Sequence, residues 1–198
     1  MTDLPGAARY RGPDFDALTP EQTAVADAIL SGPRGEVVGP LRVWLTNPNL
    51  AQTAQALGQY ARFDSSLPPY RSELAILVTA RYWSSGFEWA HHAPLAIAAG
   101  HTQTVVDDIA AARRPDLPDE TARAIFAFAA ELHRDKRVSD AAYATAERLL
   151  GPAGCVDLVG ICGYYTLISM TINAFEVPPG EGPALPRLDL PPERYFRA

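Results

Sequence analysis

An all-α fold is predicted by three observations on the sequence. Cap and proline signals recur at the heads of apolar segments with helical period, alternating strand patterns are essentially absent, and Gly or Pro closes segment after segment. The expected architecture is a bundle of about seven to nine helices with a proline-rich C-terminal arm. At 198 residues and 47% hydrophobic content the chain can bury one substantial core. Its expected organisation is an N-terminal arm over 1–18, a single all-α domain over 19–176 and an extension over 177–198.

The elements follow in order. Thr19-Pro20-Glu21-Gln22 offers an N-cap, a proline at the first helical position and a capping-box partner, leading into a helix through Leu30 that Ser31-Gly32-Pro33-Arg34-Gly35 stops. After a loop through Gly39-Pro40, Asn47-Pro48 repeats the cap-plus-proline start and opens a helix running to about Ala61, and Pro68-Pro69 ends that section. Arg71 to Ser84, Glu88 to Ala99 closed by Gly100, and Thr102 to Arg113 stopped by Pro115 come next. Asp119 and Ser139 read as caps for amphipathic helices over 120–134 and 140–150, and an uncharged helix over about 154–175 completes the set.

Leu158 to Phe175 carries no charge for 18 residues, the lower limit for a membrane span. Thr166, Ser169, Thr171, Asn173 and two glycines make it too polar for one, and a helix buried in the bundle or at a subunit contact is expected. The tail from Val177 holds six of the eighteen prolines, so it is expected as an extended arm that wraps a neighbour or stays mobile.

A net charge of −6 leaves no basic surface for a phosphate backbone, so neither nucleic acid nor an anionic membrane is an expected partner. The start, MTDLPGAARYRG, has no apolar run of signal-peptide length, and the expected location is cytoplasmic. Cys155 and Cys162 lie seven apart in a helical segment, ~10 Å between Cα atoms and beyond disulfide reach. They read as small core residues, and no C-x-x-C occurs.

Two of the four histidines fall in Gly86-Phe87-Glu88-Trp89-Ala90-His91-His92-Ala93-Pro94. Ser85 to Glu88 matches a capping box, which would explain Glu88 without catalysis. Glu88 and His92, at i and i+4, share a helix face and are expected to meet, with His91 the lesser candidate. Such a pair, buried, is suited to proton transfer near neutral pH. Glu88-x-x-His91 is also the unit of di-metal carboxylate bundles, but those need two copies and one is present, so no metal is expected.

The run Arg71-Ser72-Glu73-Leu74-Ala75-Ile76-Leu77, followed after a spacer by Glu88-Trp89-Ala90-His91-His92-Ala93-Pro94-Leu95-Ala96 and Gly100, resembles the carboxymuconolactone decarboxylase family. Its wider fold group includes the AhpD-like thiol peroxidases, and the resemblance spans about residues 40–175. It implies an all-α, homo-oligomeric enzyme with sites near subunit contacts. In the peroxidase branch the frame is C-x-x-C-x-x-x-H-x-x-x-A-x-x-x-G with a relay glutamate a dozen residues upstream. Aligned on Ala96 and Gly100, Ser85 and Glu88 stand at the cysteines, His92 at the relay histidine and Glu73 at the upstream glutamate. A hydroxyl and a carboxylate cannot cycle through sulfenic acid and disulfide.

The decarboxylase branch reads E-x-x-x-H here, as Glu88 and His92 do. The resemblance therefore implies a cofactor-free lyase, decarboxylase or isomerase acting on a small acidic or lactone-type metabolite. On this reading His92 moves the proton, Glu88 orients it, and Glu73 is either a second acid across the pocket or a first-turn dipole partner. His91, Trp89, Trp44 and one of Tyr164 and Tyr165 are candidates to line the substrate cavity, the tryptophans with plain core as the alternative. The rival readings are a thiol peroxidase in fold only and a non-catalytic small-molecule-binding scaffold.

Overall fold

The computed structural model describes residues 9–197, so the first eight residues of the expected N-terminal arm lie outside the described residues. It contains α1 (Pro20–Ser31), α2 (Pro40–Trp44), α3 (Pro48–Gln59), α4 (Pro69–Trp83), α5 (Gly86–Ala98), α6 (Gln103–Ala110), α7 (Glu120–Asp135) and α8 (Asp140–Phe175). No β-strand occurs among the described residues.

The caps form where the sequence places them. Thr19 and Gln22 make a reciprocal capping box on α1, and the side chains of Asn47, Asp119 and Ser139 accept from Leu50, Ala122 and Ala142 at the heads of α3, α7 and α8. Helix α8 is broken at Gly151 (φ 72°, ψ 171°) ahead of Pro152, which divides it near the boundary expected between the last two helices. Two elements were not expected. Pro40 sits at the first helical position of the short α2 and Pro69 at that of α4, so both prolines start helices where the sequence reading took them for loop. The last turn of α3 runs on into a single π-helical turn, Tyr60–Asp64.

Helix α4 is the axis of the bundle. Every residue from Ser72 to Arg81 is buried, and the helix packs against α5, α7 and α8. Burial on every side, expected from the sequence for the uncharged end of α8, is found instead on α4. Helix α8 has an 18-residue window apolar enough to cross a membrane, but 61% of that window is buried inside the bundle. Its other face carries the exposed Val156, Val159 and Met170.

The described part of the tail does not hang free; it returns over the bundle of its own chain. Tyr195 and Phe196 are buried, with the Phe196 ring edge-on to Phe126 (5.1 Å) and Tyr82 (5.5 Å). The guanidinium of Arg81, 1% exposed, donates to the Pro186 and Ala110 carbonyls at 2.7 and 3.0 Å. Gly182 permits the crossing over α5: a Cβ there would lie 2.5 Å from the carbonyl oxygen of Ala90. That carbonyl is the one Pro94 deprives of its helical donor.

Candidate active site

Helix α4 begins at Pro69, which puts Glu73 past the first turn and removes the dipole explanation for it. Its carboxylate instead reaches sideways to α5. Glu73 Oε2 lies 2.7 Å from Nδ1 of His92, and the two residues are 5% and 4% exposed. An ionised Glu73 fixes the tautomer with the proton on Nδ1 and leaves Nε2 of His92 as a free lone pair. Glu73 is thus the partner that orients His92, and the expected Glu88–His92 pairing is not made. On α5 the i and i+4 positions do share a face, but a carboxylate from the next helix meets the imidazole ring and the local partner turns elsewhere.

Glu88 also makes no capping box. The Ser85 hydroxyl caps nothing and is buried without a partner. The Glu88 side chain, 1% exposed, points inward, where Oε2 accepts from the Ser169 hydroxyl of α8 at 2.6 Å. Oε1 is buried with no hydrogen-bond partner. Burial pushes this carboxyl well above the usual carboxylate range, the Ser169 hydrogen bond opposes that shift, and the nearby Glu73 charge adds to it.

These side chains adjoin one cavity of about 60 Å³, lined by Glu88, His91, His92, Tyr164, Tyr165 and Arg34, among others. At ~10–15 Å³ per water that is room for a few waters or a small organic acid. The rest of its wall comes from α2, Arg62 of the π turn, Phe87, Ile168 and the loop carrying Glu36 and Val38.

His91 shares the cavity, its ring 4.9 Å from that of His92 and its Nε2 buried without a partner. Burial, and after it the neighbouring His92 and Arg62, hold its pKa down to about 4, so the ring is neutral near pH 7. Tyr164 lines the wall as expected, but so does Tyr165, against the expectation that only one would. Adjacent helical positions diverge at Cβ, yet long rings swing back together. Tyr164 meets the Arg34 guanidinium at its hydroxyl (3.1 Å), and Tyr165 stands edge-on to His92 at 4.9 Å. Gly58 of α3 makes space for that meeting, since a Cβ there would fall 2.1 Å from the Tyr164 hydroxyl oxygen.

The two tryptophans do not line this cavity. Trp44 is core behind it, its indole N–H donating to Thr171 at 2.9 Å, and Trp89 packs on the far side of α5 facing α6 and the tail. The remaining histidines are structural: His101 donates from Nε2 to the Tyr70 carbonyl at 2.6 Å and His133 donates to Thr79 at 2.9 Å. Among the described residues no three of His, Cys, Asp or Glu gather as metal ligands.

Sequence reasoning missed Arg34, Arg62 and the role of Ser169 as a partner of Glu88. Arg34 sits in a loop read only as a helix stop, and the other two acquire meaning only once α8 and the π turn are folded against α5.

An all-helical bundle carrying a buried His–Glu pair on two adjacent helices, with no thiol in its cavity wall, defines the class: the AhpD-like fold without the peroxidase cysteine pair. Cys155 and Cys162 are free and buried, and burial pushes the Cys162 thiol up to about 12. Residues 48–131 match the carboxymuconolactone decarboxylase family.

The fold is shared with an uncharacterized peroxidase-related protein from Silicibacter sp. TM1040, at TM-score 0.73 and 15% identity over 87% of this chain and 92% of that one. A peroxidase-related protein with an alkylhydroperoxidase AhpD core from Ralstonia eutropha JMP134 is similar at TM-score 0.71 and 16% identity, again over 87% and 92%. The debrominase Bmp8, solved as a cysteine-to-alanine variant in complex with 2,3,4-tribromopyrrole, is similar at TM-score 0.66 and 13% identity over 84% and 89%. No functionally curated protein matches the chain in sequence.

Proposed function

We propose that the protein is a cofactor-independent lyase or isomerase that moves a proton on a small acidic or lactone-type metabolite. The observation that carries this reading is the His92–Glu73 pair: a buried imidazole oriented by a carboxylate at 2.7 Å, beside a cavity of small-molecule size. The family match over residues 48–131 supports an enzyme of this kind. Arg34 and Arg62 support an acidic substrate, because both line the cavity and neither is ion-paired among the described residues, the only carboxylate at that rim being the exposed Glu36.

In such a step His92 Nε2 takes a proton from substrate carbon. The C–H pair becomes a C=C bond and the carbonyl pair moves to oxygen as an oxyanion. In a decarboxylation His92 Nε2 instead takes the proton of the substrate's carboxylic acid, the C–C bond to that carboxyl carbon breaks as carbon dioxide leaves, and the imidazolium returns the same proton to the resulting carbanion. Glu73 holds the ring and balances the imidazolium in both cases. Thiol peroxidase chemistry has no nucleophile here, since Ser85 and Glu88 occupy the two cysteine positions.

The test is proton NMR in heavy water with β-keto acids and butenolide carboxylates, following carbon–hydrogen exchange and loss of carboxylate. Exchange or decarboxylation that disappears in His92→Asn and falls steeply in Glu73→Gln is the expected outcome. Turnover unchanged in His92→Asn would refute the assignment. Hydroperoxide reduction with a dithiol donor is expected to stay at background.

A further inference from the structure

Glu88 is not used by that step, yet it is the most deeply buried acid of the cluster. Its oxygens are unequally served: Oε2 accepts one hydrogen bond from Ser169, while Oε1 is buried with no protein partner. An ionised carboxylate in this position would need a cation or several donors. It has one hydroxyl, and Glu73 nearby adds like charge.

A neutral carboxylic acid fits the same contacts. Oε2 is then the carbonyl oxygen that accepts from Ser169, and Oε1 is an O–H donor for which the protein supplies no acceptor. The Tyr165 hydroxyl, in the same cavity wall, is likewise buried without a partner. Burial, with the Glu73 charge behind it, holds that phenol protonated. The cavity therefore brings together two O–H donors lacking acceptors, the neutral His91, and two guanidinium groups. Against these donors, His92 Nε2 presents a lone pair placed to take a proton.

We propose that Glu88 is a neutral carboxylic acid whose Oε1–H donates a hydrogen bond to an oxyanion formed on the substrate as His92 moves the proton, which assigns the site to enolisable carbonyl compounds. This rests on the acid/base reading of His92. The oxyanion forms from the carbonyl oxygen when the electron pair of the broken C–H or C–C bond moves in. Glu88 shares its proton without giving it up, and Tyr165 stands as the second donor.

Difference infrared spectroscopy at neutral pH tests this without turnover. Wild type should show a protonated-carboxyl C=O band that vanishes in Glu88→Gln and moves to higher frequency in Ser169→Ala, which removes the bond to Oε2. The probe for the oxyanion is β-nitropropionate in its nitronate form, titrated by absorbance. Its affinity should fall by about tenfold or more in Glu88→Ala but stay within about threefold in Glu88→Gln, whose amide still donates.

Absence of a carboxyl band assignable to Glu88, or equal nitronate affinity in wild type and Glu88→Ala, would overturn the proposal. If both readouts come out as expected while His92→Asn leaves proton exchange intact, the acid/base reading fails and the neutral acid stands. If exchange depends on His92 but the band is missing, the reverse holds.

Discussion

Replacing Glu88 by Gln makes a sharp demand on the energetics of the core. The carboxyl is 1% exposed and its pKa lies well above the usual carboxylate range, chiefly because of burial. Gln keeps the volume and an oxygen to accept from Ser169, but it cannot ionise. In wild type the folded state retains a proton that the unfolded chain releases once pH passes the unfolded value. The contribution of Glu88 is therefore fully present below that value and is lost as pH rises through the folded one. The loss runs at ~1.4 kcal/mol per pH unit.

The variant has no such slope, so its stability relative to wild type should climb with pH across that window. For a chain of this size ~1.4 kcal/mol corresponds to about 3–6 °C in Tm per pH unit. The buried neutral histidines His91 and His133 lose stability toward acid, but they do so in both proteins and cancel in the difference. The assay is a set of thermal and urea melts of both proteins from pH 5 upward. A difference independent of pH would show that Glu88 carries the same charge folded and unfolded. A gap opening toward acid would show a stabilised carboxylate, the opposite sign.

Gly58→Ala should push the Tyr164 hydroxyl and Arg34 off α3, costing about 1–3 kcal/mol by overpacking and weakening binding of small carboxylates with His92 untouched; a crystal structure with the Arg34–Tyr164 bond intact would contradict this. Phe196→Ala should lower stability by about 3–5 kcal/mol, because the ring fills a site between Phe126 and Tyr82; an unchanged melt would mean that the tail is not docked in solution. The exposed Val156, Val159 and Met170 on α8, with Leu50 and Leu57 on α3, offer apolar surface for a subunit contact, and light scattering at micromolar concentration should report a homo-oligomer, not a monomer.

The fold was legible because its signals are local. A cap such as Thr19 or Ser139 acts on amides three residues away, and Gly151-Pro152 breaks α8 whatever packs against it. The prolines at 40 and 69 were misread for the same local reason: Pro stops one helix and starts the next, and only the chain that follows says which. The site was half legible. The residue types at 73, 88, 91 and 92 were enough to find the cluster, but the pairing within it is a tertiary fact. Periodicity on α5 offers Glu88 to His92, and nothing in the α5 sequence says that α4 delivers a better-placed carboxylate from nineteen residues upstream.

That exchange of partners changes what the site is suited to do. A Glu88–His92 pair would have left Glu73 as the buried acid and made both members of the couple residues of one helix, free to separate with any bend at Pro94. With Glu73 in the fully buried stretch Ser72–Arg81 of α4, the imidazole is oriented from the helix at the centre of the bundle, and Glu88 is released to Ser169 on a third helix. Three helices then meet at the site: α4 supplies the carboxylate that orients the His92 ring, α5 carries that ring, and α8 supplies Ser169, which serves one oxygen of Glu88 and leaves the other without a partner. In the thiol branch the corresponding positions would hold the two sulfurs that cycle with the relay. Here they hold the unpartnered hydroxyl of Ser85 and the acid of Glu88, neither of which can cycle between thiol and disulfide. On the proposed acid/base reading, substitution at two positions turns the same scaffold toward proton transfer, and the substrate this reading demands has an acidic carbon next to an oxygen able to take the charge.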